Sequence, residues 1–261
     1  MVEVVVKDVW FKYPGSKDFV LQSFNWINKK PQAIGLLGIN GCGKTTFVKL
    51  LAGILRPTRG EIRINGNLVK NVNSTKNIVG FVPENAKLFL VGPTMRKDLL
   101  RIVKDENLVE STLNQYKFTS LADKKLYHLS EGQRRLFAIF SSFQLPKKIL
   151  FFDEPTIGLD TKGRELFSHL IQKSTDEGKM ILISTNDPRI LPNLDHLLVI
   201  KGGTSFMEGP PNEVLYRLEN ETELVPNQIV RLITSLRKKY ENFPPIVSVK
   251  EFNEVILRRE L

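Results

Sequence analysis

The chain has 261 residues, 41% of them hydrophobic and 25% charged, and its 38 Lys and Arg against 28 Asp and Glu give a net charge of +10. These proportions are ordinary for a water-soluble globular domain, and no apolar run approaches the roughly 20 residues that span a bilayer. The single cysteine, Cys42, excludes a disulfide framework, and the acids among the first valines are not typical of a signal peptide. We therefore expect a cytoplasmic protein.

The excess of positive charge lies within residues 1–210, because residues 211–261 hold eight basic and eight acidic side chains. A basic body favours nucleotide, nucleic acid or an anionic membrane surface as a binding partner. A generally basic, soluble surface without such a partner explains the same numbers. Composition alone leaves both interpretations open.

The hydrophobic pattern of the first third of the chain predicts strands around one short helix. The helix is indicated by Phe47, Leu50, Leu51 and Ile54, which recur at i, i+3, i+4 and i+7. In chain order we predict strands over 2–11, 19–27 and 32–37, a helix over 47–55, a hairpin over 61–69 with its turn at Asn65-Gly66, and a strand over 77–84.

The remaining pattern is mostly helical, with two strands that are apolar almost throughout. Their continuous hydrophobicity, over 148–155 and 179–185, favours parallel strands that are buried on both faces. In chain order we predict helices between 93 and about 145, the first of these strands, a helix from Thr161 to about Asp176, the second strand, a closing hairpin over 196–209 and a helical tail from 211.

The segment GINGCGKTT at 38–46 has the spacing of a phosphate-binding loop. Gly38 is followed after four residues by Gly43, Lys44 and Thr45, between a predicted strand and a predicted helix. Glycines allow successive N–H groups to surround a β-phosphate, Lys44 can reach the β- and γ-phosphates, and the Thr45 hydroxyl can hold Mg²⁺. The alternative is a glycine-rich turn that binds nothing.

We predict that the nucleotide-binding residues of this segment are Asn40, Gly41, Cys42, Gly43, Lys44, Thr45 and Thr46. The thiol of Cys42 is interpreted as a small, unreactive spacer. Its position nevertheless predicts that alkylation of Cys42 would block nucleotide binding.

A pair of acidic residues ends the apolar segment ILFFDEP at 149–155. In open α/β sheets, ligands lie at the carboxyl ends of the strands. Asp153 therefore suits the coordination shell of Mg²⁺ through water, and Glu154 suits the polarisation of an attacking water. The pair is weak support by itself and strong support next to a phosphate-binding loop.

The segment LSEGQRR at 129–135 predicts the start of a helix, because Ser130 and Gln133 have the spacing of a capping box. Its buried stripe is predicted to be Leu136, Phe137, Ile139, Phe140 and Phe143. The Ser130 side chain, the main chain of Gly132 and the helix dipole make an anion site. One interpretation is that this site caps the γ-phosphate bound by another subunit; the other is an ordinary capped helix.

These motifs resemble those of the ATP-binding-cassette (ABC) ATPases over roughly residues 1–210. GINGCGKTT corresponds to their Walker A motif, LSEGQ at 129–133 to their signature motif, ILFFDEP to their Walker B motif and GLD at 158–160 to their D-loop. FKYP at 11–14 resembles the start of their adenine-stacking loop, which implies that Tyr13 lies under the base. All the motifs occur in the family's order.

The resemblance implies an α/β fold, with the RecA-like parallel sheet of a P-loop NTPase, an antiparallel β subdomain and a helical signature subdomain at about 93–145. It implies an ATP-binding domain over 1–210 and a helical dimerisation tail over 211–261. It also implies ATP and Mg²⁺ as ligands, and a head-to-tail dimer with each ATP between one P-loop and the partner's signature motif. ATP closes such a dimer and hydrolysis reopens it.

Two positions depart from the family pattern: Glu84 stands where the Q-loop glutamine is expected, and Asn186 where the switch histidine is expected. The Glu84 carboxylate can attract Mg²⁺ but repels the γ-phosphate, and Asn186 can donate a hydrogen bond but cannot shuttle a proton. Our hypothesis is that this site turns over slowly while LSEGQ completes a better site on a non-identical partner. The alternative is that both residues are working substitutes.

Within the family, the chain looks most like the energy-coupling-factor (ECF) and cobalt-transporter ATPases. This implies a peripheral location at the cytoplasmic face of the membrane, beneath a transmembrane coupling protein and a substrate-binding membrane subunit that import a vitamin or a transition-metal ion. Ile229, Leu232, Ile233 and Leu236 share one face of the tail helix predicted at 227–240. That face pairs two ATPases or packs on its own domain.

Two other classes of protein remain as alternatives. A soluble ABC protein acting on nucleic acid suits the basic charge, but we expect no nucleic-acid partner, because such proteins carry a long coiled-coil insertion or a second cassette. A nucleotide-gated clamp that hardly hydrolyses ATP has little use for Glu154.

Overall fold

The strands of the computed structural model, which describes residues 2–218, 228–237 and 245–257, form two sheets. Their bounds are β1 Val4–Phe11, β2 Leu21–Asn28, β3 Ala33–Leu37, β4 Arg59–Ile64, β5 Asn67–Leu68, β6 Val79–Val82, β7 Ile149–Asp153, β8 Met180–Ser184, β9 His196–Lys201 and β10 Thr204–Gly209. The antiparallel sheet has the order β2-β1-β4-β5, and the larger sheet has the order β10-β9-β3-β8-β7-β6. The predicted combination of two sheets is confirmed.

Parallel pairing determines the geometry of the larger sheet. β3 pairs with β8 and β9, and β7 pairs with β6 and β8, all in parallel. β3, β7 and β8 are buried along their whole length, as expected for parallel strands covered on both faces. Because these strands run in one direction, the segments that follow them emerge at one edge of the sheet.

The α-helices lie between and after these strands. They are α1 Lys44–Leu51, α2 Val72–Thr75, α3 Met95–Val103, α4 Glu106–Gln115, α5 Glu131–Phe143, α6 Thr161–Asp176, α7 Pro211–Arg217, α8 Gln228–Arg237 and α9 Val249–Leu257. The helices predicted between 93 and 145 are present as α3, α4 and α5, and α6 has the predicted bounds. Within the described ranges, none of the helices combines the length and the apolarity needed to cross a membrane.

The helix after the phosphate-binding loop is shorter than predicted. α1 ends at Leu51, and Gly53 has a φ of +76°, so the prediction of a helix to residue 55 is wrong. A Cβ at Gly53 would lie 2.6 Å from the main-chain oxygen of Asn71, which leaves room for glycine alone. Ile54 therefore lies outside the helix, where it is 46% exposed and not part of the buried stripe.

α1 joins the two sheets through aromatic packing. Phe47, fully buried in its first turn, has its ring centroid 4.5 Å from that of Phe24 and 5.8 Å from that of Trp26, both on β2. The same hydrophobic cluster includes Ile34 and Leu36 of β3. The antiparallel sheet is thereby held against the helix that follows the phosphate-binding loop.

Part of the described tail packs on its own chain. In α8, Val230 and Ile233 are fully buried in the main hydrophobic cluster and Leu236 packs against it, whereas Leu232 is 46% exposed. The helix predicted at these positions is present, but Leu232 is not covered by its own domain, so the pairing of two ATPases through this face stays a prediction. The side chain of Ile229, and residues 227 and 238–240, lie outside the described residues.

Phe47→Ala should destabilise the protein by about 3–5 kcal/mol, because it removes a buried aromatic ring and leaves a cavity between α1 and the antiparallel sheet. The measurement is the free energy of unfolding in urea. As a control, Leu88→Ala at a side chain that is 74% exposed should change stability by less than about 0.5 kcal/mol. Equal effects of the two substitutions would contradict the packing described above.

Candidate nucleotide-binding site

A cleft of about 1170 Å³ lies where β3, β7 and β8 end. Most of the residues that the sequence predicts for the site line it: Tyr13, Asn40, Gly41, Gly43, Lys44, Thr45, Thr46, Glu84, Glu154 and Asn186. Asp153 lies beneath the cleft, in hydrogen-bond contact with Thr45. The residues of three strand ends are thus brought together.

The phosphate-binding loop curls around the ammonium group of Lys44. The Lys44 side chain is 7% exposed, and its Nζ donates a hydrogen bond to the Gly38 carbonyl at 2.7 Å. Gly43 caps α1 with a φ of +108°, and a Cβ there would lie 3.0 Å from the Leu21 side chain. A cradle of this shape, with a buried cation and a helix N-terminus, suits a phosphate chain.

One carboxylate oxygen connects the three strand ends. The Thr45 hydroxyl donates a hydrogen bond to Oδ1 of Asp153 at 2.8 Å, and the Ser184 hydroxyl donates to the same oxygen at 2.6 Å. Sequence reasoning missed Ser184. Its position at the end of β8, at the same edge as Asp153, is the signal that could have found it.

The donors around Asp153 fit Mg²⁺. Thr45 and Asp153 supply hard oxygen atoms, and Mg²⁺ typically takes one or two protein ligands together with substrate phosphates. Among the described residues, no group of three or more His, Cys, Asp and Glu side chains could form an all-protein metal site. The arrangement therefore suits an ion that shares its coordination with a nucleotide.

The Glu154 carboxyl has an environment suited to a base. Burial raises its pKa, the negative charges of Asp153 and Glu84 raise it further, and Lys44 and the main-chain N–H of Asn186 oppose the shift. A carboxylate with a raised pKa is a stronger base toward water.

Both departures from the family pattern lie at the cleft. The Asn186 amide donates a hydrogen bond to Oδ1 of Asn40 in the phosphate-binding loop, at 2.9 Å. Glu84 is exposed at the cleft wall, two residues beyond β6, and its charge acts on Glu154. The Q-loop and switch positions therefore contribute an extra negative charge and a neutral amide.

Tyr13 and Cys42 differ in how they relate to the cleft. Tyr13 is 40% exposed, and its hydroxyl forms a hydrogen bond with that of Thr46 at 3.0 Å, so an adenine-stacking role stays a prediction. Cys42 is 8% exposed inside the hydrophobic cluster around α1, and burial raises the pKa of its thiol. Its side chain does not line the cleft. Direct nucleotide contact by the thiol is thus not supported.

The predicted capping box at the signature segment is present. Ser130 Oγ accepts a hydrogen bond from the Gln133 N–H at 3.1 Å, and Gln133 Oε1 accepts one from the Ser130 N–H at 3.0 Å. Ser130, Gly132 and Gln133 do not line the cleft of their own chain. The predicted stripe of α5 is buried except for Leu136, which is half-buried.

Three charged residues that sequence reasoning did not select also line the cleft: Arg164, Asp187 and Arg189. Arg189 forms a bidentate ion pair with Asp187, with nitrogen–oxygen distances of 2.6 and 2.7 Å. No sequence motif includes them. They line the cleft because the segments after β7 and β8 fold back toward it.

Comparison with known families assigns the chain to one of them. The sequence model of the ABC transporter family matches residues 21–157, just over half of the chain. The chain belongs to the ABC transporter family. It is therefore an ATPase with the ABC fold, as the motifs predicted.

Individual relatives agree with the family assignment. The chain is 32% identical over 259 aligned positions to the energy-coupling factor transporter ATP-binding protein EcfA of Methanocaldococcus jannaschii, covering 94% of this ABC ATPase and 92% of that protein. The structure of cbiO1 from Clostridium perfringens, part of the ABC transporter complex cbiONQ, superposes with a TM-score of 0.71 at 24% identity and with coverages of 91% and 95%. A dimeric ATP-binding cassette in a post-hydrolysis state, bound to ADP and Pi, gives 0.70 at 22% identity, with coverages of 80% and 98%.

Cys42 should react slowly with iodoacetamide at neutral pH, because its thiol is buried and its raised pKa keeps it protonated. The rate should rise with pH through a midpoint above that of an unperturbed thiol, and unfolding in urea should remove the protection. Mass spectrometry of the quenched reaction gives the rate. Reaction of the native protein as fast as that of the unfolded chain would contradict the buried position.

Proposed function

We propose that this ABC ATPase is the ATP-binding and ATP-hydrolysing subunit of an ECF-type membrane importer, peripheral at the cytoplasmic face of the membrane. The observation that carries the proposal is the near-complete alignment with an ECF ATP-binding protein, 94% of this chain and 92% of its relative. The likeness to a component of the cbiONQ complex extends over 91% of the chain and gives the same type of fold. A transmembrane coupling protein and a substrate-binding membrane subunit are the partners that this assignment implies, and a vitamin or a transition-metal ion is the cargo.

The separation of the two predicted phosphate contacts supports a head-to-tail pair of ATPases. The P-loop cleft contains Lys44 and Thr45, but Ser130 and Gly132 lie outside it. The N-terminus of α5 favours an anion, and the nucleotide of a second ATPase would supply one. Closure of the pair around ATP is the step that drives transport.

The residues of the cleft have separate roles in ATP hydrolysis. Lys44 offsets charge on the β- and γ-phosphates after it leaves the Gly38 carbonyl, and Glu154 orients and activates the attacking water. Thr45 and Asp153 would hold Mg²⁺, which when bound neutralises charge on the phosphate oxygens. Tyr13 offers an aromatic face near Thr46 for the base.

The charges around Glu154 support an asymmetric pair. Glu84 places a carboxylate where the γ-phosphate needs a neutral donor, and Asn186 cannot take up a positive charge. Both features slow the site on this chain's own P-loop. In a pair of identical chains both ATP sites would be slow, so a non-identical ATPase is the better partner subunit.

A nucleotide-gated clamp is the second candidate, and the neutral amide of Asn186 is the observation that favours it. A clamp binds ATP and closes without rapid turnover. A single-turnover measurement separates the two functions, because an ATPase converts its bound ATP within the lifetime of the closed pair and a clamp does not.

Glu154→Gln should trap the closed pair in the presence of ATP, because it keeps the shape of the site and removes the base. Pull-down from detergent-solubilised membranes should then recover more of the second ATPase and the membrane subunits than the wild type does. Glu165→Gln, at an exposed position on α6, is the matched control and should behave as the wild type. Recovery of the chain alone in every case would contradict the proposed assembly.

Asn186→His should raise the rate of ATP hydrolysis by roughly tenfold or more, because an imidazole beside the phosphate-binding loop can carry charge and shuttle a proton. Phosphate release by the purified chain, with and without its mates, measures the rate. Asn193→His, outside the cleft, should have no effect. If the wild type and Asn186→His hydrolyse ATP at the same high rate, the hypothesis that Glu84 and Asn186 slow this site is wrong.

A further inference from the structure

A buried arginine connects the start of α5 with the end of β7. Arg135 is 7% exposed, and its Nη1 donates a hydrogen bond to the main-chain carbonyl of Glu154 at 3.3 Å. Its Nη2 lies 3.5 Å from the carboxylate of Glu131, one turn earlier in the same helix. A buried guanidinium is costly unless hydrogen bonds and opposite charge compensate it. These two partners therefore compensate the cost of burying the guanidinium charge of Arg135.

The carbonyl that Arg135 contacts belongs to a strained residue. Glu154 has a φ of +46°, in the left-handed region that side chains other than glycine rarely adopt. Such a conformation persists only where the surroundings fix it from more than one side. On the amide side, the Glu154 N–H bonds to the Ser184 carbonyl at 2.9 Å and to the Ser184 hydroxyl at 3.2 Å. Arg135 provides the corresponding contact on the carbonyl side.

The signature segment touches the chain after Glu154 at a second place. A Cβ added at Gly132 would lie 3.0 Å from the carbonyl oxygen of Gly158. Residues 130–135 and 154–158 therefore meet both at Arg135 and at Gly132. These two contacts give a route by which a displacement of one segment can reach the other.

We propose that Arg135 is a positioning residue that holds Glu154 in its strained orientation and couples it to the signature segment. The inference rests on the proposed role of Glu154 as the base and goes beyond it. Glu131 and Arg135 link that base to the segment that faces the partner's nucleotide. Nucleotide binding at the partner's P-loop thereby affects the position of the Glu154 carboxylate, through the main chain of residue 154.

The neighbouring Arg134 provides a matched control. Its Nη1 donates to the main-chain carbonyls of Leu129, Tyr127 and Leu126, at 2.6, 3.4 and 3.5 Å, and none of these partners belongs to the segment at Glu154. Arg134→Met and Arg135→Met each remove one positive charge from the same turn of α5 and keep an unbranched side chain. The two variants therefore differ in the connection to Glu154.

The first measurement is single-turnover hydrolysis over a range of Mg-ATP concentrations. Arg135→Met should lower the rate at saturating ATP roughly tenfold or more, since a misplaced base is costly, while the half-saturating ATP concentration stays within about twofold. Arg134→Met should leave both within about twofold of the wild type. Arg135→Lys, which keeps the positive charge and can still donate a hydrogen bond but lacks the guanidinium fork, should recover part of the rate.

The second measurement, hydrogen exchange of the amides in 154–159, needs neither a partner nor turnover. Exchange should be several times faster in Arg135→Met than in Arg134→Met, with the rest of α5 unchanged. Equal behaviour of the two variants in both measurements would overturn the proposal. If Glu154→Gln lacks hydrolysis while Arg135→Met behaves as Arg134→Met, this inference alone falls. If Glu154→Gln hydrolyses as the wild type does, the general-base role falls with it.

Discussion

The site depends on the parallel pairing of β3, β8 and β7, which brings three chain segments to one edge of the sheet. β3 and β7 are not neighbours, so β8 must lie between them. The Asp153 carboxylate then accepts hydrogen bonds from Thr45, after β3, and from Ser184, at the end of β8. A slip in the register of either pairing would separate these groups and move the phosphate cradle away from the acids.

Negative and positive side chains lie close together at this edge of the sheet. The negative charges of Asp153 and Glu84 act against that of Glu154, and the charge of Lys44 favours it. A triphosphate adds negative charge to the same space, and a divalent cation would offset part of it. The carboxylate at position 84 adds a negative charge that a glutamine would not.

Features encoded in short stretches could be predicted from the sequence, and features that depend on distant contacts could not. The phosphate-binding loop, the Asp153–Glu154 pair and the cap at Ser130 each follow from local spacing. The end of α1 at Leu51 depends on how closely Asn71 approaches Gly53, which periodicity does not report. The roles of Ser184 and Arg135, and the burial of Cys42, depend on elements far away in the chain. The division of the tail stripe between buried Ile233 and exposed Leu232 also required the packed structure.

The most direct test of the account is calorimetric titration of the full-length chain with ATP, with and without Mg²⁺, for the wild type and for Thr45→Val. Valine keeps the shape of threonine and removes the hydroxyl that contacts Asp153. The account predicts that Mg²⁺ strengthens ATP binding to the wild type and that Thr45→Val loses most of this effect. No magnesium-dependent affinity for ATP in the wild type, alone or with its mates, would contradict it.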